Sequence, residues 1–310
     1  MPYVQNVEQL NKTNYADNVI MVAQQMKDPL IGAVTVVPVS GEAVRVADLI
    51  NAKRYGRQSL RSRVNGENPT TATARWLVMP EEEIFSAQYI DKADKWKMAN
   101  DPTSNFMKAD VAAVTRGYTD TVMGLQETDT GTYEVAYGGL LGIAREGKSP
   151  GVGTPLPAGQ ILAAAGLGLT LDKLRTARKM MKIANFGIDQ VMDPLYGAIT
   201  PEQEDNLLGI AAASGANLNT FEIEQLKEGK PTRLLGITWI VTNRLPKAAN
   251  IRTCVLWSKA NIIVGEWEPI NGQMWPDPHV NNLPYIKTCT TIDAVRAQDK
   301  GVVAILCQEP

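Results

Sequence analysis

The sequence predicts an α+β chain organised around one long helix, and three observations carry that prediction. An apolar stripe with helical spacing runs through residues 101–127. A β-hairpin pattern precedes it, with alternating and β-branched segments on either side of a polar, basic tip. From Thr253 onward the chain is mainly β, with continuous apolar runs of strand length.

The helix is justified first by its start. Asp101 carries the short acceptor side chain of an N-cap, and Pro102 has the fixed φ suited to the first helical position. Met107, Val111, Val114, Tyr118, Val122 and Leu125 then recur three or four residues apart, as one helix face requires. At ~1.5 Å per residue the element would span roughly 35–40 Å. Lys108, Asp110, Thr115, Arg116 and Thr119 occupy the other sides, where water or polar surface is expected. The apolar stripe should pack on the closing strands of the same chain.

Before the helix, Tyr15, Val19, Val22 and Met26 mark an amphipathic helix over residues 13–28, ended by Asp28-Pro29 because a residue preceding proline avoids the α region. Val34-Thr35-Val36-Val37 reads as a short strand, and Pro38 confines it to an edge or ends it. Val44 and Val46 open a hairpin whose outer part holds Arg54, Arg57, Arg61 and Arg63, with turn signals at Asn65-Gly66 and Asn68-Pro69. Arg75-Trp76-Leu77-Val78-Met79 and the alternation of Phe85, Ala87 and Tyr89 read as the return. A two-stranded ribbon is marginal alone in water. Its arginines, Arg54, Arg57, Arg61, Arg63 and Arg75, and the following Glu81, Glu82 and Glu83 read either as a solvated surface or, more sharply, as candidates for contact with a neighbouring subunit. RNA contact is the weaker third reading, because no aromatic stacking set accompanies the arginines.

After the helix, residues 131–168 are rich in Gly, Pro and Ala and read as a long surface connection. They contain neither a phosphate-binding loop nor a dinucleotide glycine pattern. Thr170 caps a helix carrying Leu171, Leu174, Ala177, Met181 and Ala184 on one side, with Gly187 as its left-handed stop. Thr200-Pro201-Glu202-Gln203 is a capping box opening another helix, anchored by Leu207 and Leu208. Strands follow over residues 236–241, 253–257, 261–267, 287–292 and 301–307.

Composition excludes several classes. The 310 residues are 44% hydrophobic, sufficient for packed cores, and no apolar run approaches the ~20 residues of a membrane-spanning helix. A net charge of −2 argues against a dedicated nucleic-acid binder. Cys254, Cys289 and Cys307 are widely spaced and read as buried free thiols, and the one histidine, His279, sits in a loop-like Pro-Asp-Pro-His setting with no nucleophile signal. No signal peptide is read at the N-terminus. A cytosolic enzyme would need a metal, phosphate or triad signature that the sequence does not display.

Four ordered stretches carry a family resemblance. They are Arg75-Trp76-Leu77-Val78 through Tyr89-Ile90-Asp91 to Asp94; the long helix with Arg116 and Asp120; Leu171-Asp172-Lys173-Leu174 through Thr200-Pro201 and Leu226-Lys227-Glu228-Gly229 to Asn243-Arg244-Leu245-Pro246; and Thr291-Ile292-Asp293-Ala294-Val295-Arg296 with Asp299-Lys300-Gly301-Val302. Their order resembles the major capsid proteins of tailed double-stranded DNA phages, which share the Hong Kong 97-type fold. The resemblance implies an N-terminal arm (1–41), an extended hairpin loop (42–95), a peripheral domain with the spine helix (96–165 and 251–310) and an axial domain (166–250). It implies a structural subunit without catalytic residues, cofactor or metal, forming pentamers and hexamers of itself around packaged DNA in the virion after assembly in the host cytoplasm. Scaffolding and portal proteins are the implied partners, with a decoration protein as a further candidate and no membrane. The chain before the hairpin is too short for a cleaved scaffolding segment, so a separate scaffold is expected. The tip carries arginine where cross-linking relatives use lysine, so a shell without isopeptide bonds is expected. DNA contact should be diffuse, with negligible affinity of free subunits at physiological salt. An encapsulin-like compartment is the alternative sharing the fold.

Overall fold

A computed structural model describes residues 30–50, 72–90, 103–128, 131–189, 191–213 and 233–309. The expected helix at 13–28, the hairpin tip and the Asp101-Pro102 cap lie outside the described residues. In chain order the structure runs β1 (Thr35–Pro38), β2 (Ala43–Ile50), β3 (Ala72–Val78), β4 (Ile84–Tyr89) and helix α1 (Thr103–Met123). Short strands follow: β5 (Leu125–Glu127), β6 (Tyr133–Val135), β7 (Ala144–Glu146), β8 (Val152–Thr154) and β9 (Ile161–Leu162). Then come α2 (Leu171–Ile183), β10 (Leu195–Ile199), α3 (Pro201–Ala213), β11 (Arg233–Leu234) and β12 (Ile237–Val241). The chain closes with β13 (Lys247–Ala248), β14 (Ile251–Ser258), β15 (Ile262–Asp277), β16 (Leu283–Arg296) and β17 (Val302–Gln308).

These strands form a sheet ordered β1-β15-β16-β4, a seven-stranded sheet ordered β11-β12-β10-β14-β17-β9 with β13 paired on β14, a sheet ordered β2-β3-β7-β8, and the small β5-β6 pair. β1 occupies an edge, as Pro38 requires, and runs parallel to β15 with Thr35 opposite Ile263. β2 and β3 pair antiparallel, confirming the hairpin. β4 is not part of that hairpin: it crosses to another sheet and pairs with β16, Phe85 opposite Cys289. The expected division at residue 250 falls within one sheet. β14 pairs with β10 on one side and with β17 on the other, and its Val255, Leu256 and Trp257 share a core with Ala198 and Ile237.

Helix α1 is 21 residues, about 32 Å at 1.5 Å per residue, and stops at Met123. Gly124 adopts φ +75° there, so Leu125 belongs to β5 rather than to the helix. Val114, Tyr118 and Val122 are buried, and the helix lies along β4, β15 and β16 of the same chain, as the stripe requires. Burying each such side chain contributes roughly 1.5–3 kcal/mol.

Of the residues expected to meet water or polar surface on the other sides of α1, Asp110, Thr115 and Thr119 are buried, as is Asp120. The threonines satisfy themselves by donating to carbonyls four residues back, Thr115 to Val111 at 2.7 Å and Thr119 to Thr115 at 3.1 Å. Asp110 accepts from Ser86 and Gln88 of β4 at 2.8 and 3.1 Å, tying the helix to that strand.

Residues 131–168 are largely exposed or half-buried, as a surface connection should be, but residues 138–140, 142 and 144 turn inward. Leu140 and Leu141 donate backbone N–H groups to the carbonyls of Val122 and Met123, filling acceptors that a helix C-terminus leaves open. Gly139 makes this approach possible: at φ +65° a Cβ would stand 2.2 Å from the Gly124 nitrogen.

Two caps match the sequence reading and one shifts. Thr170 Oγ1 accepts from the Lys173 N–H, and the Gln203 side chain accepts from the Thr200 N–H at 3.1 Å. Helix α2, however, is stopped by Asn185 at φ +68°, not by Gly187. Asn185 N–H donates to Lys182 and Phe186 N–H to Met181, the two bonds of a Schellman turn.

Candidate assembly surfaces

The hairpin leaves the body at β3, and ion pairs fix its base. Arg75 is only 2% exposed; its Nη2 donates to Asp299 Oδ2 at 2.8 Å and its Nη1 lies 3.3 Å from Glu146 Oε2. Asp299 also accepts from Arg296 Nε at 2.6 Å, and Arg296 donates onward to the carbonyls of Gly142 and Thr154. A second anchor is Asp293 of β16, which accepts from the Val78 N–H and from Arg145 Nη1, each at 2.9 Å. Burial pushes the Asp293 carboxyl up, and these donors oppose that rise. The last residue of β3 is thus hydrogen-bonded to the sheet that carries α1.

Two further charge clusters join distant segments. Arg244, in the loop after β12, grips Asp120 of α1 and Glu127 of β5, and its guanidinium lies 5.5 Å from the Tyr133 ring centre. Glu309 accepts from Arg252 at 3.0 Å, Lys247 at 2.9 Å and Gln203 at 2.8 Å, with Thr200 Oγ1 at 3.2 Å. Burial would raise this carboxyl, but the combined hydrogen bonds prevail and hold it at about 2. The capping box of α3 is therefore locked to the end of the described chain.

The candidate residues from the sequence separate into three groups. Arg54, Arg57, Arg61 and Arg63 lie outside the described residues. Arg75 is not available to a neighbour: its guanidinium is spent inside its own chain, because β3 turns it inward onto Glu146 and Asp299. Glu81, Glu82 and Glu83 are exposed on the turn between β3 and β4, and Glu83 pairs with Lys287. Sequence reasoning missed Arg145 and Glu309 altogether. It quoted Arg244, Asp293, Arg296 and Asp299 within the ordered stretches without assigning them partners.

The three cysteines are buried free thiols. His279 lies in the turn between β15 and β16, its N–H donating to Asp277. Glu83, Glu268 and Cys289 bring potential metal-ligand atoms within 4.8 Å of one another, but Lys287 already supplies a cation to Glu83. No described helix is long and apolar enough to cross a membrane.

Solved structures share this architecture. The capsid of cyanophage P-SCSP1u aligns with a TM-score of 0.68 at 15% identity, over 98% of this chain and 95% of that one. The capsid of Ralstonia phage GP4 aligns at 0.68 and 11% identity, over 96% and 94%. The SrpI encapsulin of Synechococcus elongatus PCC 7942 aligns at 0.55 and 11% identity, over 97% and 95%. No curated protein matches the sequence significantly. The sequence does match the phage capsid protein family over residues 7–309, nearly its whole length. The fold is of the Hong Kong 97 type, the function is that of a major capsid shell subunit, and the chain belongs to the phage capsid protein family.

Proposed function

We propose that this capsid subunit assembles as pentamers and hexamers into an icosahedral head around double-stranded DNA. The observation that carries the reading is the hairpin. Among the described residues β3 pairs with β7 only at Arg75 and Trp76, the Gly147 N–H adds one bond to the Ala74 carbonyl, and Ala72 and Thr73 pair with Ile50 and Leu49 of β2 alone. A ribbon of that kind gains stability when a neighbour covers it, while Arg75 and Asp293 hold its base at a fixed angle to the body. The work done is geometric, with no substrate turned over.

In this reading residues 1–41 act as an arm and 42–79 as the exchanged hairpin. β4, α1, β15 and β16 make the peripheral part, and the seven-stranded sheet with α2 and α3 makes the axial part. A separate scaffolding protein, a portal and, in some heads, a decoration protein complete the set of partners, and assembly takes place in the host cytoplasm before the subunit enters the virion. DNA meets the inner wall through diffuse electrostatics.

The encapsulin likeness supports a shell with protein cargo as the second reading. Nuclease treatment of purified particles separates the two. Protected double-stranded DNA of uniform length supports the phage head, and particles holding protein without nucleic acid refute it.

A further inference from the structure

Helix α2 has two unlike faces. Leu174, Ala177 and Met181 are buried, while Arg175, Arg178, Lys179 and Lys182 recur at helical spacing on the outer side. With Ile183 and Leu235 they line an open cleft of about 450 Å³. Arg175 reaches only the exposed Asp172, at 3.9 Å, and among the described residues Arg178, Lys179 and Lys182 have no ion-pair partner. Ile183 is 72% exposed at the rim, so the surface is cationic with an apolar margin.

The β3–β4 turn is its chemical counterpart on the same chain. Glu81, Glu82 and Glu83 are exposed there, and Met79 and Phe85 on either side are 46% and 60% exposed. Among the described residues Glu81 and Glu82 have no ion-pair partner. The turn belongs to the sheets that carry the hairpin and α1, while α2 packs on β17 of the seven-stranded sheet. Nothing pairs the two patches within the described chain.

We propose that the cationic face of α2 docks the Glu81–Glu83 turn of a second copy. The proposal rests on the shell-subunit reading and names the contact between neighbours. Two different patches meeting make a head-to-tail contact, and repeating it closes a ring when the rotation allows, as five- and six-membered capsomers require. The apolar margins on both sides, Ile183 and Leu235 against Met79 and Phe85, fit a protein partner better than a phosphate backbone, which offers no apolar surface.

The test uses full-length chains with reversed charges: R175E/K179E, E81K/E82K, and all four together. All four side chains are solvent-exposed, so circular dichroism and melting should match wild type. Each pair alone should raise the subunit concentration needed for assembly at least about tenfold, and the fourfold variant should recover most of it, because like charges juxtaposed across an interface are strongly disfavoured. As an independent readout, K179C and E82C subunits assembled together should yield a mixed disulfide on non-reducing gels. Unchanged assembly of the paired variants, no recovery in the fourfold variant, or assembled particles without the mixed disulfide would overturn the contact. Normal shells of R175E/K179E that retain less DNA would overturn it in favour of a DNA contact. If wild-type chains never assemble, the shell-subunit reading fails first and this contact fails with it.

Discussion

Substituting Glu309 by glutamine tests the buried charge cluster that locks α3 to the end of the described chain. The carboxylate is nearly inaccessible and faces Arg252, Lys247, Gln203 and Thr200 within 3.2 Å. Glutamine keeps the volume but leaves two cations without an anion. Losing one partner of a fully buried pair costs about 3–5 kcal/mol, and the partial exposure of Arg252 and Lys247 lowers the expected cost here to about 2–3 kcal/mol. For a chain of this size that corresponds to a melting temperature roughly 3–5 °C lower at neutral pH. The pH dependence gives a second, sharper readout. The Glu309 carboxyl is depressed from 4.5 to about 2 in the folded protein. Its contribution is therefore complete above the unfolded value and disappears as pH falls from about 4.5 toward 2. Unfolding in denaturant, followed between pH 5 and 3, should show wild type losing stability faster than E309Q. A variant that melts within about 1 °C of wild type, or keeps the wild-type acid dependence, would refute the reasoning.

Three other outcomes are expected. Arg75→Met should cost about 2–4 kcal/mol, because Glu146 loses its cation while Asp299 keeps Arg296, and should speed amide exchange in Ala72–Val78; unchanged exchange would show that Arg75 does not hold the hairpin base. Gly139→Ala, at φ +65° against the Gly124 backbone, should cost about 2–4 kcal/mol in denaturant melts, whereas Gly151→Ala, with nothing within 4 Å, should stay within about 0.5 kcal/mol. Assembled shells boiled in reducing denaturant should run as a single monomer band, and a ladder of oligomers would contradict a shell without covalent links.

Much of the fold was legible because local chemistry and long-range structure agreed. Pro38 limited β1 to an edge, Thr200 and Gln203 announced α3, and the 3-4 spacing of Val114, Tyr118 and Val122 chose the buried face of α1. What escaped depended on partners far away in sequence. Arg75 looked like one more charge on a basic hairpin, but its acceptor Asp299 lies 224 residues on. Thr119 looked solvent-facing because a side chain that satisfies itself on the preceding turn leaves no mark in a polarity pattern. Between residues 131 and 168 the strands are two or three residues long, too short for alternation to register, and the glycines that signalled a loop instead let backbone pack on backbone. At α2 the apolar face was read and the cationic one was passed over, since charge on an outer face is also what ordinary solvation produces.

The central claim is that this subunit is a shell tile, and electron microscopy of the purified protein under assembly conditions tests it most directly. The account predicts closed shells, tubes or capsomer rings, with reconstructions placing α1 along β15 and β16 of its own subunit. A monodisperse monomer under every assembly condition, or a reconstruction with α1 packed on another chain's strands, would contradict it.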